Sequence, residues 1–498
     1  MTQVKQLICI NHFFAGLLFF CTFVGRMTAL LIIIVYFGSL YLFSQLTTRC
    51  ATNESFFLGD RRSSWPMVAF GMVGASISGV TFVSVPGMVL FSDMTYLQMC
   101  LGFIVGYFLV ALVLLPIYYK RKLTTIYSYL GERLGKGSQQ TGSVLFLLSK
   151  LIGASMRFYL AAYIVQQICF DGLHIPFALT VVMMVALIWL YTRHGGVRTL
   201  VSTDVVQTIV MLLAVICLLG SIIHELHFSP TEAINAIAND SHSRIFVFDD
   251  WTSRQYFWKQ FLSGIFIVVV MTGLDQDMMQ KNLTCRTLRD AQKDMCTYGF
   301  AFAPVNMLFL GLGVLLVLLA QQQGTPIPTQ ADALLPQFVL SGQLGQVAIT
   351  LLLIGILASS FSSADSAMTA LTTSICVDLF HQSTNEKLRR RIHLVVALAF
   401  IILMLLFRIV GSGSIIDAIY TICGYTYGPL LGLFAFALFT HRGLRNRWVP
   451  LVCVLSPVLA HLIGTFAKEC WDYSVGYELL LLNGLITFTG LLFITKKE

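Results

Sequence analysis

Runs of about 20 apolar residues recur from one end of this chain to the other, and they restrict the kind of fold it can adopt. A transmembrane helix needs about that length to cross the hydrocarbon core of a bilayer. Hydrophobic residues make up 57% of the 498 residues and charged residues only 11%, and the apolar runs leave no segment long enough for a soluble domain. We predict an all-α polytopic membrane protein with about thirteen spans. The predicted spans cover residues 28–46, 66–90, 96–119, 141–169, 175–192, 199–224, 255–276, 296–322, 343–378, 391–410, 413–439, 448–466 and 478–495.

Basic residues are concentrated in alternate loops. Of the 32 lysines and arginines, 23 fall at the C-terminal end and in the segments 47–65, 120–140, 193–198, 281–294, 379–392 and 441–447. Cytoplasmic loops of membrane proteins carry the excess of basic residues, so this pattern predicts a multi-pass protein of the plasma membrane (the bacterial inner membrane) with a cytoplasmic C-terminus. The net charge of +8 then reflects topology, and we expect the lipid bilayer rather than a nucleic acid as a partner.

Residues 1–27 form an N-terminal extension before the first predicted span. They contain the apolar run GLLFFCTFVG after Lys5, which is shorter than a full span and is typical of a signal-peptide core. Three interpretations remain open for this segment: Met27 as the true initiator, a cleaved leader, or an additional helix.

The segment SSFSSADSAMT at 359–369 is rich in oxygen-bearing side chains for the middle of an apolar span. On a helix, Ser359, Ser362, Ser363 and Ser366 fall within an arc of roughly 100°, with Asp365 at its edge. An ionised aspartate at the bilayer centre costs roughly 2.5–3.5 kcal/mol, so it faces a partner or a wet cavity. Serines alone would equally fit close helix packing. With a carboxylate added, these oxygen ligands favour a site for a small, hard cation.

The span 66–90 has the composition of a discontinuous helix. Its sequence PMVAFGMVGASISGVTFVSVPG contains four glycines and four hydroxyl residues. A break in a membrane helix frees backbone carbonyls, which must then face a cavity or an ion. Tight packing of small residues against a neighbouring helix is the competing interpretation.

Few charged residues lie inside the predicted spans. Arg157 lies near the middle of the span 141–169, two helical turns from Lys150, and Asp204 lies just inside the span 199–224. Arg157 has two interpretations at this point. It forms a structural ion pair with an acid such as Asp204, or it anchors a carboxylate-bearing solute, since a guanidinium matches a carboxylate with two parallel hydrogen bonds.

Signals for catalysis are missing from the sequence. The twelve cysteines are scattered singly without a CxxC pair, and no GxSxG, HExxH or GxxxxGK[ST] motif occurs. His194, His381 and His441 stand singly in basic loops. We therefore predict that the protein is not an enzyme and uses no organic cofactor.

Six segments together resemble the sodium:solute symporter family, which includes sodium symporters for proline, galactose, sialic acid and iodide. Their order and spacing are far more specific than any one of them. The segments are FFLGDRRSSWPMVAFGMVGAS, YSYLGERLG, GGVRTLVSTDVVQ, TGLDQDMMQKNLTCRTLRDAQKD, ASSFSSADSAMTALTTSICVDLF and GYTYGPLLG. The resemblance implies a leucine-transporter-like fold of two inverted five-helix repeats, at 66–224 and 255–439. One helix at 28–46 would precede them and two helices at 448–495 would follow.

The resemblance also implies a first sodium site between the broken helix and the serine-rich helix. Matching SISG gives the backbone carbonyls of Gly74 and Ile77. Counting back from VDLF gives the carbonyl of Ser359 and the hydroxyls of Ser362 and Ser363.

A second cation site is implied by similarity to sialic acid symporters. It would use Asp204, Ser362, Asp365 and Ser366. Asp365 departs from the serine of that branch, so this site would be more acidic, and its ion is either sodium or a proton.

Solute contacts carry over from the same branch. They match Ser78, Thr81 and Arg157, and Gln98 is a candidate for a further polar position.

We therefore predict a sodium-coupled secondary active symporter that imports a small organic solute, a carboxylate such as a sialic acid. Sodium ions are the coupling ions, and nothing indicates an obligate protein partner. The alternative is a sodium symporter for a neutral sugar or amino acid, in which Arg157 only pairs with Asp204. Because Arg157 neutralises at most one of the acids Asp204 and Asp365, more than one cation is expected to move with each solute.

Overall fold

The computed structural model describes residues 31, 34–42, 45, 53–410, 415–471, 473 and 475–496. Residues 34–42 are helical, and nineteen α-helices follow them within this part of the chain. These are α1 Asn53–Leu58, α2 Trp65–Ser76, α3 Gly79–Ser92, α4 Tyr96–Leu109, α5 Leu115–Lys120, α6 Ser128–Leu134, α7 Lys136–Val165, α8 Phe177–Gly195, α9 Val197–Glu225, α10 Pro230–Asn239, α11 Phe257–Val268, α12 Gln276–Asn282, α13 Leu288–Gln323, α14 Leu334–Leu340, α15 Gly345–Ser374, α16 Glu386–Val410, α17 Ile415–Phe439, α18 Val449–Trp471 and α19 Leu479–Phe493.

Helices that are able to span a membrane make up most of the described chain. Eight are long and apolar enough to cross a bilayer, and two bent pairs, α2 with α3 and α11 with α12, bring the number to ten. α8 and α19 are shorter apolar helices. The predicted helical membrane fold is confirmed, and the number of thirteen spans stays a prediction. The first predicted span, 28–46, is described only in part, and the extension 1–27 lies outside the described residues.

The break predicted within the span 66–90 is confirmed. α2 and α3 meet at an angle of 62°. Ile77 and Ser78 between them have extended backbone, with ψ angles of 99° and 172°. Extended residues cannot continue the hydrogen-bond ladder of a helix, so carbonyls in the last turn of α2 are available to other groups.

A second break, which the sequence analysis did not predict, separates α11 from α12 by an angle of 70°. A wide π-helical turn at Val269–Gly273 follows α11. Asp275 then caps α12, since its Oδ1 accepts a hydrogen bond from the amide of Asp277 at 2.8 Å. All seven residues of α12 are buried, including Lys281. The interpretation of 281–294 as a cytoplasmic loop is therefore wrong at its first residues.

The serine-rich helix α15 lies at the centre of the bundle. In its most apolar stretch 72% of the residues are buried, against 33% in that of α16 and 22% in that of α18. Outer helices expose large apolar side chains such as Ile402 and Val454, as expected of surfaces that face lipid. The hydroxyls of α15 therefore contact other helices rather than lipid.

Candidate ion and solute site

The end of α2 meets the serine-rich face of α15 beside the first break. The hydroxyl of Ser363 lies 3.0 Å from the carbonyl oxygen of Ala75 and 3.2 Å from that of Ser359, and it donates to both. Gly79 starts α3 so close to α15 that a Cβ atom there would overlap the hydroxyl of Ser360. One hydroxyl and two carbonyl oxygens thus converge at this junction, and hard oxygen ligands of this kind suit sodium.

The predicted carbonyl ligands Gly74 and Ile77 lie on either side of this contact. The carbonyl that faces Ser363 belongs to Ala75, which the sequence comparison did not select. Gly74 has a packing role as well, because a Cβ atom at this position would overlap the side chain of Thr208 on α9. The assignment of Gly74 and Ile77 as sodium ligands stays a prediction.

Asp204 on α9 is fully buried and is paired with a lysine. Its Oδ1 accepts a hydrogen bond from the hydroxyl of Ser362 at 2.6 Å, and its Oδ2 lies 2.8 Å from the Nζ of Lys281. The two charged side chains are 0% and 2% exposed. The ion pair of Arg157 with Asp204, considered in the sequence analysis, is therefore corrected: α12 brings Lys281 to this acid instead.

Asp365 lies one turn further along α15 than Ser362. Its Oδ2 accepts a hydrogen bond from the hydroxyl of Tyr191 on α8 at 2.6 Å, and its Oδ1 accepts one from Ser366 at 3.3 Å. The structure thus joins the residues predicted for a second cation site in two pairs, Asp204 with Ser362 and Asp365 with Ser366.

A cavity of about 120 Å³ lies beside the break between α2 and α3. Ala75, Ser76 and Ser363 border it on the side of the α2–α15 junction. Arg157 and Lys150 enter it from α7, and aromatic and apolar side chains from α4, α11, α13 and α17 complete the lining. A molecule bound in this cavity would therefore contact the same helices that form the junction.

Three of the four charged side chains that line the cavity pair with one another. Lys150 Nζ lies 2.6 Å from Asp277 Oδ2 and 3.1 Å from Asp275 Oδ2. Tyr427 donates a hydrogen bond to the same Asp275 oxygen at 2.7 Å. Arg157 differs from the other three, because it forms no ion pair with any residue of the described chain. The cavity thus presents a guanidinium that is able to bind an anion.

The remaining predicted solute residues do not line the cavity. Gln98 is fully buried, with its Nε2 donating to the carbonyl of Gln255 at 2.8 Å and its Oε1 accepting from the amide of Val247 at 3.1 Å. Both ends of its amide hold the backbone ahead of α11, and the assignment of Gln98 as a solute ligand stays a prediction. Ser78 and Thr81 lie in the first turn of α3, where the carbonyl of Ser78 accepts from the amide of Thr81 at 2.9 Å.

Asp275, which caps α12, and the charged residues within α12 are the part of the site that sequence reasoning missed. Asp275 and Asp277 line the cavity, and Lys281 pairs with Asp204. A signal was present, because Asp277 and Lys281 are four residues apart and so share one face of a helix. It was hidden because the segment follows an apolar run and looks like the start of a charged loop.

Two discontinuous helices that meet at a polar site inside a bundle are typical of secondary transporters. The comparison with known proteins is more specific. A model of the sodium:solute symporter family matches residues 56–446, and the chain belongs to this family. Members of the family are transporters rather than enzymes.

Several curated relatives are similar to parts or to most of the chain. The human sodium/iodide cotransporter is 29% identical over 48% of this chain and 36% of its own length. Human sodium-coupled monocarboxylate transporter 2 is 25% identical over 78% of this chain and 64% of its own length. The chain thus spans less than two thirds of these two relatives. The sodium/sialic acid symporter SiaT of Proteus mirabilis is 22% identical over 95% of both chains.

A solved structure supports the fold. The substrate-bound, outward-open structure of a sodium-coupled sialic acid symporter superposes with a TM-score of 0.77, and the match covers 94% of this chain and 99% of that one. At 18% sequence identity, this similarity establishes the arrangement of helices and no more.

Proposed function

We propose that this protein is a sodium-coupled symporter that imports a small anionic organic solute, a carboxylate such as a sialic acid. The observation that carries this proposal is the position of Arg157. Its guanidinium borders the cavity without an ion pair in the described chain, whereas Lys150 is paired with both Asp275 and Asp277. A guanidinium binds a carboxylate through two parallel hydrogen bonds, which fixes the orientation of the solute as well as its charge.

The solutes of the relatives support an anion. Iodide, sialic acid and monocarboxylates, which appear in the names of three relatives, all carry a negative charge at neutral pH. The alternative solute class, a neutral sugar or amino acid, would leave the guanidinium of Arg157 without a direct ionic partner in the cavity, since both acids there contact Lys150. Sialic acid symporters of two bacterial species are among the relatives, which supports a bacterial inner membrane as the location.

The first sodium ion of the proposed cycle binds at the junction of α2 and α15. Its ligands are the carbonyls of Gly74, Ile77 and Ser359 with the hydroxyl of Ser363, and Ser362 contributes its hydroxyl when it turns from Asp204. Ser363 also borders the solute cavity, so an ion that holds α2 against α15 shapes the wall to which the solute binds. Sodium and solute then raise each other's affinity by the same factor, because coupling between two binding sites is reciprocal.

The experiment that tests this proposal measures the thermal unfolding of the purified protein with a panel of solutes. The panel contains sialic acids, monocarboxylates, hexoses and amino acids, each with sodium and with choline as the replacing cation. A ligand that binds only the native state increases the free energy of unfolding, by about 2.7 kcal/mol at a hundred times its dissociation constant. The unfolding temperature rises as a result.

We expect at least one carboxylate to stabilise the protein in sodium and to do so weakly in choline. A hexose or an amino acid without net charge that stabilises the protein, while all carboxylates fail, would favour the alternative solute class. Stabilisation by a solute that is the same in choline as in sodium would contradict sodium coupling.

A further inference from the structure

Lys281 is a lysine ammonium deep inside the bundle, and neither proposed binding step uses it. It belongs to α12, a helix of seven residues that are all buried, and its own side chain is 2% exposed. Lysine is almost never buried to this degree unless it is paired. Its Nζ lies 2.8 Å from Oδ2 of Asp204, which is 0% exposed.

The surroundings of this ammonium are those of a cation site. The second oxygen of Asp204 accepts a hydrogen bond from Ser362 at 2.6 Å, and Asp365 follows Ser362 by one turn of α15. A carboxylate, a serine hydroxyl and a second acid nearby form a set of hard oxygen ligands that would equally suit a sodium ion. The ammonium of Lys281 already occupies the position beside Asp204 that a bound cation would take.

We propose that Lys281 is a built-in cation that takes the place of a second coupling ion, so that the protein couples one sodium ion to each solute. This replaces the sequence-based expectation of more than one coupled cation, which did not include a lysine beside Asp204. The inference rests on the proposed sodium symport and assigns its stoichiometry. A sodium ion bound to Asp204 would have to approach the ammonium closely. Two unit charges roughly 4 Å apart in a protein of effective dielectric constant about 20 repel enough to weaken binding by roughly a thousandfold.

Lys281 also links the ion pair with Asp204 to the solute cavity. Asp277, four residues earlier on α12, lines that cavity and pairs with Lys150 at 2.6 Å. The Lys281–Asp204 ion pair holds α12 against α9 whether or not sodium is bound. A sodium ion in the place of the ammonium would hold the two helices together only while it was bound. This predicts that sodium regulates the junction of α2 with α15 and leaves the contact of α12 with α9 in place.

The number of sodium ions bound by the purified full chain tests the inference. Equilibrium dialysis with radioactive sodium is carried out at saturating concentration, without solute. We expect one ion per chain for the wild type and two for Lys281→Gln, because the carboxylate of Asp204 and the hydroxyl of Ser362 are then free to bind an ion. The double variant K281Q/D204N should return to one ion, since it lacks the carboxylate as well.

Matched variants separate this effect from a general change of charge. Lys281→Arg keeps a cation beside Asp204 and should bind one sodium ion. Lys293→Gln removes the same charge from an exposed position on α13 and should also bind one. If Lys281→Gln does not fold, Lys281→Met keeps the apolar stem of the side chain and should bind two ions.

Two results would overturn the inference while leaving sodium symport intact: two sodium ions bound by the wild type, or one ion still bound by a folded Lys281→Gln protein. A wild-type protein that binds no sodium would overturn the proposed function itself, and the inference with it.

Discussion

The hydroxyl of Ser363 belongs to two parts of the site at once. It contacts the carbonyls of Ala75 and Ser359 at the junction of α2 with α15, and the residue borders the solute cavity. Of these two partners, Ala75 lies in the last turn of α2 before the break, whereas Ser359 lies within the continuous helix α15. The side chain is therefore placed to respond to sodium directly and to the solute through the shape of the cavity wall.

Ser363→Ala should weaken the activation of transport by sodium. Loss of one polar contact at a buried site costs about 1–3 kcal/mol, which corresponds to a roughly 5- to 150-fold higher half-saturating sodium concentration. The effect on solute affinity at saturating sodium should be smaller, because the cavity keeps its other lining residues. Uptake into proteoliposomes at a series of sodium concentrations measures both quantities.

The matched control is Ser221→Ala on α9, since that serine is half-buried and donates only to a carbonyl of its own helix, that of Cys217, at 3.0 Å. Its sodium dependence should remain that of the wild type. If Ser363→Ala also kept the wild-type sodium dependence, the ion would not bind at the α2–α15 junction.

Arg157→Lys should raise the half-saturating solute concentration without disturbing sodium binding. A lysine ammonium keeps the positive charge but cannot reproduce the two parallel hydrogen bonds of a guanidinium with a carboxylate. Calorimetric titration with sodium in the absence of solute measures ion binding separately from solute uptake. Arg390→Lys is the control, because Arg390 pairs with Glu386 on the surface of α16, away from the cavity. A loss of sodium binding in the solute-free Arg157→Lys protein would indicate that Arg157 has a structural role.

The breaks in the two discontinuous helices differ in how well the sequence predicts them. In the span 66–90, glycines and hydroxyl residues gather around residues 76–78, and the break falls there. The segment before the second break, IFIVVVMTG, is almost entirely apolar, so its pattern is that of an uninterrupted span that ends at its first charge. The second bend depends on a π-helical turn and on the cap that Asp275 forms, and neither has a strong signature in hydropathy.

Gly74→Ala should destabilise the contact between α2 and α9. A Cβ atom at this position would overlap the side chain of Thr208 and approach its backbone Cα to 3.2 Å, so the two helices would have to separate. Overpacking of this kind costs about 1–3 kcal/mol, and we expect a lower unfolding temperature of the purified protein.

Gly220→Ala on α9 is the control for that change, because no atom lies within 4 Å of the position that its Cβ would take. Its unfolding temperature should equal or slightly exceed that of the wild type, since alanine is the better helix former. An unchanged unfolding temperature in Gly74→Ala would show that α2 has room to move away from α9.

For the whole molecule, the sequence predicted the membrane class and the helices that carry the site, but not which charges meet. Hydropathy and helical periodicity report on one helix at a time. Asp204 and Lys281 are brought together only by the arrangement of α9 and α12 in the bundle. Opposite charge alone made Arg157 an equally reasonable partner for Asp204, and only the fold decides between the two.

The charge moved in one transport cycle follows from the number of sodium ions and the charge of the solute that cross the membrane together. One sodium ion with a monovalent carboxylate carries no net charge across the membrane, whereas one sodium ion with a neutral solute carries one positive charge. A potential of 100 mV acts on one charge with about 2.3 kcal/mol, which changes the limiting accumulation ratio by roughly 50-fold. We therefore expect accumulation of the carboxylate to be independent of membrane potential at a fixed sodium gradient.

Proteoliposomes with a constant sodium gradient, and with a membrane potential set by a potassium gradient and valinomycin, provide the measurement. The wild-type protein should accumulate a radiolabelled carboxylate to the same level at zero and at negative interior potential. If Lys281→Gln transports, it should accumulate more at negative potential, since a second sodium ion then adds a charge to each cycle. Potential-dependent accumulation by the wild type would contradict an electroneutral cycle, and the sodium count per chain would then show whether the error lies in the number of ions or in the charge of the solute.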